Sequence, residues 1–238
     1  MIGIPTFVYS SLLVSFMCNF NQATAANYGW FTILRMEEKP ISPQDIYFMK
    51  NKNDERTETV DLQLYYETLC PYCIQLESTQ FKNVVNTLSP YLNIKTYPYG
   101  NAQTIETNGS IEFKCQHGPK ECYGNKLHAC SLKHITNHTD ALNFNICMME
   151  TNDKTRGSDD AAVLKCADEM NIDKSQILQC ARGKEGGQLL KYYGEESHKA
   201  NFNYVPYVLI NGVEWLQNGT LMQDVCAAFK DPPEVCNQ

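Results

Sequence analysis

Thr59-Val60-Asp61-Leu62-Gln63-Leu64-Tyr65-Tyr66-Glu67-Thr68-Leu69-Cys70-Pro71-Tyr72-Cys73 decides how this chain folds. Val60, Leu62, Leu64 and Tyr66 alternate with Asp61, Gln63 and Tyr65, the two-residue period of a strand with one face in a core. A C-x-x-C follows at once. Beyond it Leu76, Phe81, Val84, Val85 and Leu88 recur at helical spacing until Pro90 stops them, and Leu92, Ile94, Thr96 and Tyr97 give a second strand. Cys70 therefore stands where a strand hands over to a helix, with Pro71 at the first helical position, where a missing N–H is no loss. The unpaired N–H groups and positive dipole end of that helix lower the pKa of Cys70 and make it a nucleophile. The spacing predicts a redox-active pair, Cys70 and Cys73. A structural crosslink this short constrains little of the unfolded chain.

A strand, a helix opened by C-x-x-C and a second strand form a β-α-β unit of thioredoxin-like type, its strands parallel by the right-handed crossover rule. The other half of such a fold is legible between residues 204 and 230. Tyr204 to Ile210 reads as a strand carrying Pro206, Asn211-Gly212 as a hairpin turn, Val213 to Leu216 as the return, and Leu221, Met222, Val225, Ala228 and Phe229 as the closing helix. A proline is excluded from the middle of a sheet, so Pro206 belongs at the start of its strand. In thioredoxin-like proteins a cis-proline there faces the dithiol and frees the preceding backbone for substrate, which makes Val205 and Pro206 the expected substrate-binding residues. The segment between the halves is too long for a loop. Its apolar residues, such as Ala161, Val163, Leu164 and Ala167, are spaced as short helices, and it holds Cys115, Cys122, Cys130, Cys147, Cys166 and Cys180. The expected fold is α/β, thioredoxin-like, with a core over 58–100 and 201–236 and a large disulfide-stapled helical insertion over 101–200, between the β-α-β and β-β-α halves.

The formal charge of −7 argues against nucleic acid or anionic lipid as a partner, since both need a basic face. Residues 1–25 read as a signal peptide: Ile2 to Cys18 is apolar and uncharged, and Ala23-Thr24-Ala25 offers small residues for cleavage. Residues 26–57 are polar, are broken by Pro40 and Pro43, and read as an N-terminal extension with little core. No later segment is apolar enough to span a bilayer. Behind a signal peptide, eleven cysteines imply an oxidising compartment and a disulfide framework, and sequons at Asn108, Asn137 and Asn218 predict glycosylation on the same route. Localisation is expected in the secretory pathway, in lysosomes or endosomes or as a secreted protein.

A more specific resemblance lies in the insertion. Cys115-Gln116-His117-Gly118-Pro119-Lys120-Glu121-Cys122-Tyr123-Gly124-Asn125-Lys126-Leu127-His128-Ala129-Cys130 fits C-Q-H-G-x-x-E-C-x-x-N-x-x-x-x-C at every fixed position. The chain thereby resembles the gamma-interferon-inducible lysosomal thiol reductase family, over roughly residues 59 to 236. The resemblance implies an enzyme that reduces disulfides of protein substrates at acidic pH in endosomes and lysosomes, with a role in immunity where antigen is presented. Cys70 attacks a substrate sulfur and Cys73 resolves the mixed disulfide. No organic cofactor and no metal is needed, and an external small dithiol restores the pair. The Pro71-Tyr72 dipeptide departs from many members of the family and bears on redox potential.

Two other readings fit parts of the sequence. The same dithiol serves an oxidase or isomerase, of the endoplasmic reticulum or secreted, although Val235-Cys236-Asn237-Gln238 is not a retention signal. A non-catalytic, disulfide-rich secreted binding protein would use Cys70 and Cys73 as one more staple. His117 is a candidate for proton transfer or for a structural hydrogen bond. His128, His134 and His138 near cysteines suggest zinc, but a single C-x-x-C does not support such a site. Cys226 and Cys236 are expected to close a short C-terminal loop, while the eight cysteines that remain outside the dithiol once Cys18 leaves with the signal peptide allow 105 connectivities. Nothing in the sequence specifies an oligomeric state.

Overall fold

The computed structural model describes residues 25–28, 31–34, 59–151 and 158–237. The signal segment up to residue 24, most of the extension and residues 152–157 lie outside the described residues. Two compact units divide the chain at residue 56. The first contains an antiparallel strand pair, β1 (Ala25–Tyr28) and β2 (Phe31–Leu34), at the start of the stretch read as an extension with little core.

The second unit is built on a four-stranded sheet in the order β4-β3-β7-β8. Strand β3 (Val60–Tyr66) lies parallel to β4 (Leu92–Pro98), Val60 opposite Leu92, and antiparallel to β7 (Tyr207–Ile210), Leu64 opposite Val208. Asn211 and Gly212, both at positive φ, turn β7 into the short β8 (Val213–Glu214). Positive φ at both turn residues is what a two-residue hairpin requires. The β3 side chains Val60, Leu62, Leu64 and Tyr66 point into one core with Val84, Val85, Leu88, Ile146, Leu221 and Val225, as the alternation predicts.

Between β3 and β4 runs helix α1, with an α-helical start over Pro71–Leu76, a π-helical turn over Glu77–Phe81 and an α-helical end over Lys82–Leu88. The π turn has a cause in the sequence. Leu76 and Phe81 are five residues apart, one too many for a common face of a regular α-helix, and one wide turn brings both back onto the core side.

The insertion opens with a hairpin that the sequence reading missed, β5 (Gln103–Thr107) and β6 (Ser110–Lys114), around a turn with Asn108 and Gly109 at positive φ. It is therefore not wholly helical. Both strands are short and mostly exposed, and only β6 alternates, Ile111 and Phe113 between Ser110, Glu112 and Lys114. Five helices follow: α2 (Pro119–His134), α3 (His138–Glu150), α4 (Asp160–Met170), α5 (Ser175–Arg182) and α6 (Lys184–Ala200). They enclose a second core of Leu127, Phe144, Met148, Val163 and Ile177. Disulfides Cys130–Cys180 and Cys147–Cys166 cross it, Cys115–Cys122 ties the approach to α2, and Cys226–Cys236 follows the closing helix α7 (Leu221–Ala227).

Candidate functional site

Strand β3 ends at Tyr66, and Glu67, Thr68 and Leu69 carry the chain to Cys70, the N-cap of α1 in an extended conformation (φ −70°, ψ 121°). The backbone N–H of Cys73 donates to Cys70 Sγ at 3.4 Å. Both thiols are free, and their surroundings differ. Cys70 is 6% exposed and Cys73 is fully enclosed. The Cys73 thiol donating to Cys70, helped by the backbone N–H groups of Cys73 and Tyr72 and by the charge of His117, outweighs desolvation and lowers the Cys70 pKa from 9.0 to about 6. Burial, and then the hydrogen bond and charge of Cys70, push Cys73 well above its ordinary value. One sulfur is held as a nucleophile and the other as a thiol.

The Val205 carbonyl lies 3.9 Å from Cys70 Sγ, the Val205–Pro206 peptide is cis, and Pro206 is buried just before β7. Beside this pair opens a groove of about 480 Å³ lined by Tyr72, Gln75, Gln80, Tyr204, Val205 and Gln217 among others, with no Asp, Glu, Lys, Arg or His in its wall. Tyr72, 72% exposed, stands at its rim beside Cys70.

The C-Q-H-G segment and α2 form a clamp for the loop that carries Cys70. Disulfide Cys115–Cys122 and the left-handed Gly118 (φ 87°) turn the chain into Pro119, the first residue of α2. Glu121, fully buried, then reaches back: its Oε1 accepts the His117 N–H (2.9 Å), and its Oε2 accepts the Leu69 N–H (3.3 Å) and lies 2.6 Å from His117 Nδ1. One turn on, Asn125 Oδ1 accepts the Thr68 N–H (3.0 Å) while its Nδ2 donates to the Tyr99 carbonyl (3.3 Å). Gly124 lets the loop pack this closely, since a Cβ there would come within 2.5 Å of Thr68 Oγ1. Two consecutive backbone donors ahead of Cys70 are thus held by the motif, whose fixed residues position the nucleophile. Replacing Asn125 by alanine strands the Thr68 N–H and the Tyr99 carbonyl in the interior. We expect a loss of about 2 kcal/mol in urea unfolding together with reduced turnover, and an unchanged denaturation midpoint would remove the clamp.

Among the described residues, three buried carboxylates escaped the sequence reading. Glu67 accepts the Asn101 N–H at Oε2 (2.9 Å), while its Oε1 lies 3.4 Å from His117 Nδ1 without a hydrogen bond. Burial, then the charge of Glu121, raises its pKa to about 7. Glu121 is the clamp residue, and Glu77 lies in the π turn. Nothing in the spacing of an isolated glutamate announces burial; only Glu121, fixed within the C-Q-H-G pattern, offered a signal.

Among the described residues, candidate metal ligands group in two places. Donor atoms of Glu67, His117 and Glu121 come within 4.8 Å of one another, but the Glu121 oxygens already take up two backbone N–H groups. In the cluster of His134, Cys180 and Glu185 the cysteine is disulfide-bonded and offers no thiolate. The three histidines considered for zinc are dispersed. His128 is fully buried between the Tyr66 hydroxyl (2.8 Å) and Ser158 (3.3 Å), where burial lowers its pKa to about 3; His138 contacts the Ile94 carbonyl (2.8 Å), and His134 contacts Glu185 (3.2 Å). Asn108, Asn137 and Asn218 are all exposed.

Among the described residues no helix is long and apolar enough to cross a membrane. Solved structures share the fold: a disulfide bond oxidoreductase, DsbG, from Mycobacterium tuberculosis superposes with a TM-score of 0.54 at 14% identity, covering 75% of this chain and 82% of that one. DsbA from the same organism gives 0.53 at 15% identity, covering 75% and 86%. The chain is 35% identical to GILT-like protein 2 of Drosophila melanogaster over 66% of its own length and 72% of the relative's. It is 32% identical to the gamma-interferon-inducible lysosomal thiol reductase of Carassius auratus, over 75% and 72%. The profile of the gamma interferon inducible lysosomal thiol reductase family matches residues 61–170, from β3 through the clamp to the end of α4. With a thioredoxin-like sheet and a clamped dithiol already in place, these likenesses show that the chain belongs to the gamma-interferon-inducible lysosomal thiol reductase family and is a thiol-disulfide oxidoreductase.

Proposed function

We propose that the protein reduces disulfides of protein substrates at acidic pH, within endosomes or lysosomes. The Cys70 thiolate attacks a substrate sulfur to form a mixed disulfide and releases the first substrate thiol. Cys73 then attacks the Cys70 sulfur, releases the second thiol and leaves a Cys70–Cys73 disulfide, which an external small dithiol reduces. A substrate segment lies along the uncharged groove beside Tyr72, against the Val205 carbonyl. No organic cofactor and no metal enters any step, and the exposed Asn108, Asn137 and Asn218 carry glycans.

The observation that carries this reading is the asymmetry of the thiols. With a pKa of about 6, about one Cys70 in ten is thiolate at pH 5, against about one in ten thousand for a thiol of pKa 9. Attack in an acidic compartment therefore keeps a nucleophile that an ordinary cysteine lacks. The thiolate fraction rises with pH through 6 and saturates above 7, so alkylation of Cys70 is expected at half its maximal rate near pH 6. A midpoint near 8.5 would remove the mechanism. Reduction of insulin from pH 4 to 8, with a dithiol supplied, completes the test: turnover at pH 5 is expected at about a tenth of its value at pH 7. A collapse of about a hundredfold between pH 7 and 5, the fall of a thiol of pKa 9, would contradict the acidic assignment.

A further inference from the structure

The core beneath the dithiol holds an ionisable group that neither step above employs. Glu77 is 1% exposed, and its Oε1 has no hydrogen-bond partner. Its backbone N–H donates to the Cys73 carbonyl, the i, i+4 relation that stacks two side chains on one helix face. Glu77 is also the first residue of the π turn, a feature that regular helices lack and that concentrates at functional sites. The titratable groups facing it are Cys70 and Cys73 of its own helix and Tyr66 of β3. Helices α3 and α7 bring apolar residues, Ile146, Met149, Leu221 and Val225, to the same core. A carboxyl in such a place gives up hydration without compensation, and nothing structural is gained by it that a glutamine would not supply better.

We infer that Glu77 is the internal proton acceptor for Cys73 in the resolving step. The inference rests on the Cys70-attack, Cys73-resolution reading. In the mixed disulfide Cys70–S–S–R, the Cys73 sulfur must form a bond to Cys70 while R–S departs with the electron pair of the broken S–S bond. The Cys73 proton has no route to solvent, since the residue is 0% exposed. It passes to one oxygen of the protonated Glu77 carboxyl as the proton on the other oxygen moves to the departing sulfur, giving R–SH and a Cys70–Cys73 disulfide with no net change in protons and Glu77 returned to its starting state. Timing is built in. Burial, and then the negative charge of Cys70, keep Glu77 protonated in the resting dithiol. That charge vanishes when Cys70 enters the mixed disulfide, so the carboxyl, still held neutral by burial between turnovers, gives up its own proton more readily at the stage when it must take one from Cys73.

The test separates attack from resolution. Wild type, Glu77→Gln and Glu77→Asp are mixed rapidly with a cystine-containing peptide at pH 5, acid-quenched, and counted by mass for enzyme carrying peptide. For Glu77→Gln we expect attack at the wild-type rate, with decay of the mixed disulfide slowed roughly 100-fold, in the range of a lost general base. Glu77→Asp should recover part of the loss. Decay at the wild-type rate in Glu77→Gln, or equal slowing of attack and decay, overturns the assignment. Failure of any peptide adduct to form on wild-type Cys70 would instead strike at the parent mechanism. A second measurement leaves Glu77 intact: in Cys73→Ser carrying Glu67→Gln, which removes the other raised carboxyl near Cys70, blocking Cys70 with the same peptide is expected to lower the pH at which the infrared carbonyl band of a buried protonated carboxyl disappears. An unchanged pH of disappearance would count against Glu77.

Discussion

Replacing Cys70 by serine is expected to abolish disulfide reduction, with a loss on the order of 10⁴-fold or more, because a hydroxyl cannot supply an anion at these pH values. The same substitution should leave the fold intact, since oxygen fits where sulfur sat at the N-cap and accepts the same Cys73 N–H. The pH dependence of stability gives a control. A thiol whose pKa falls from 9.0 when unfolded to about 6 in the fold contributes stability that is full above pH 9 and lost as pH falls toward 6. Reduced wild type and Cys70→Ser should therefore melt together at pH 5 and part above pH 7, wild type the more stable. Retained turnover, or a large stability loss at pH 5, would make Cys70 a structural residue after all.

The second large effect concerns the insertion. Cys130 on α2 and Cys180 on α5 are 50 residues apart, and their bond crosses the second core. Loop-closure entropy assigns such a bond about 4 kcal/mol, against about 3 kcal/mol for the 10-residue separation of Cys226 and Cys236. Double alanine replacement of Cys130 and Cys180 is expected to lower Tm by about 8–16 °C, more than replacement of the C-terminal pair. Because α2 also bears Glu121 and Asn125, the loss should appear at the dithiol as well, through a higher Cys70 alkylation midpoint. Equal melting of the two variants would contradict the entropic account.

Both halves of the thioredoxin-like sheet were legible because their patterns are local: Val60 to Tyr66 alternates, and Asn211-Gly212 can turn only one way. The π turn was not read: the five-residue gap from Leu76 to Phe81 that accounts for it passes as ordinary helical spacing. Hairpin β5–β6 went unread although Asn108-Gly109 is the same turn signal as Asn211-Gly212 and Ile111 and Phe113 alternate, because its strands are short and mostly exposed and Asn108 reads only as a sequon. The C-Q-H-G segment identified the family, yet its work as a clamp emerged only when α2 was set against the Cys70 loop. Disulfide partners and buried glutamates were the least legible. Cys147 and Cys166, or Glu67 and His117, become neighbours through helix packing, and no spacing along the chain encodes that.

The position of Cys70 at a helix start has a consequence for electron balance. Stabilising a thiolate stabilises the reduced form of the pair, which makes the disulfide a stronger oxidant. With a pKa of about 6 in place of 9.0, that bias is about elevenfold at pH 7, or about 30 mV, and nearly vanishes at pH 5, where the folded thiol is mostly protonated. Acidification thus shifts the poise of this dithiol toward donating electrons relative to an unperturbed thiol pair. The same helix terminus that keeps a nucleophile available in acid also makes the direction of exchange depend on the compartment.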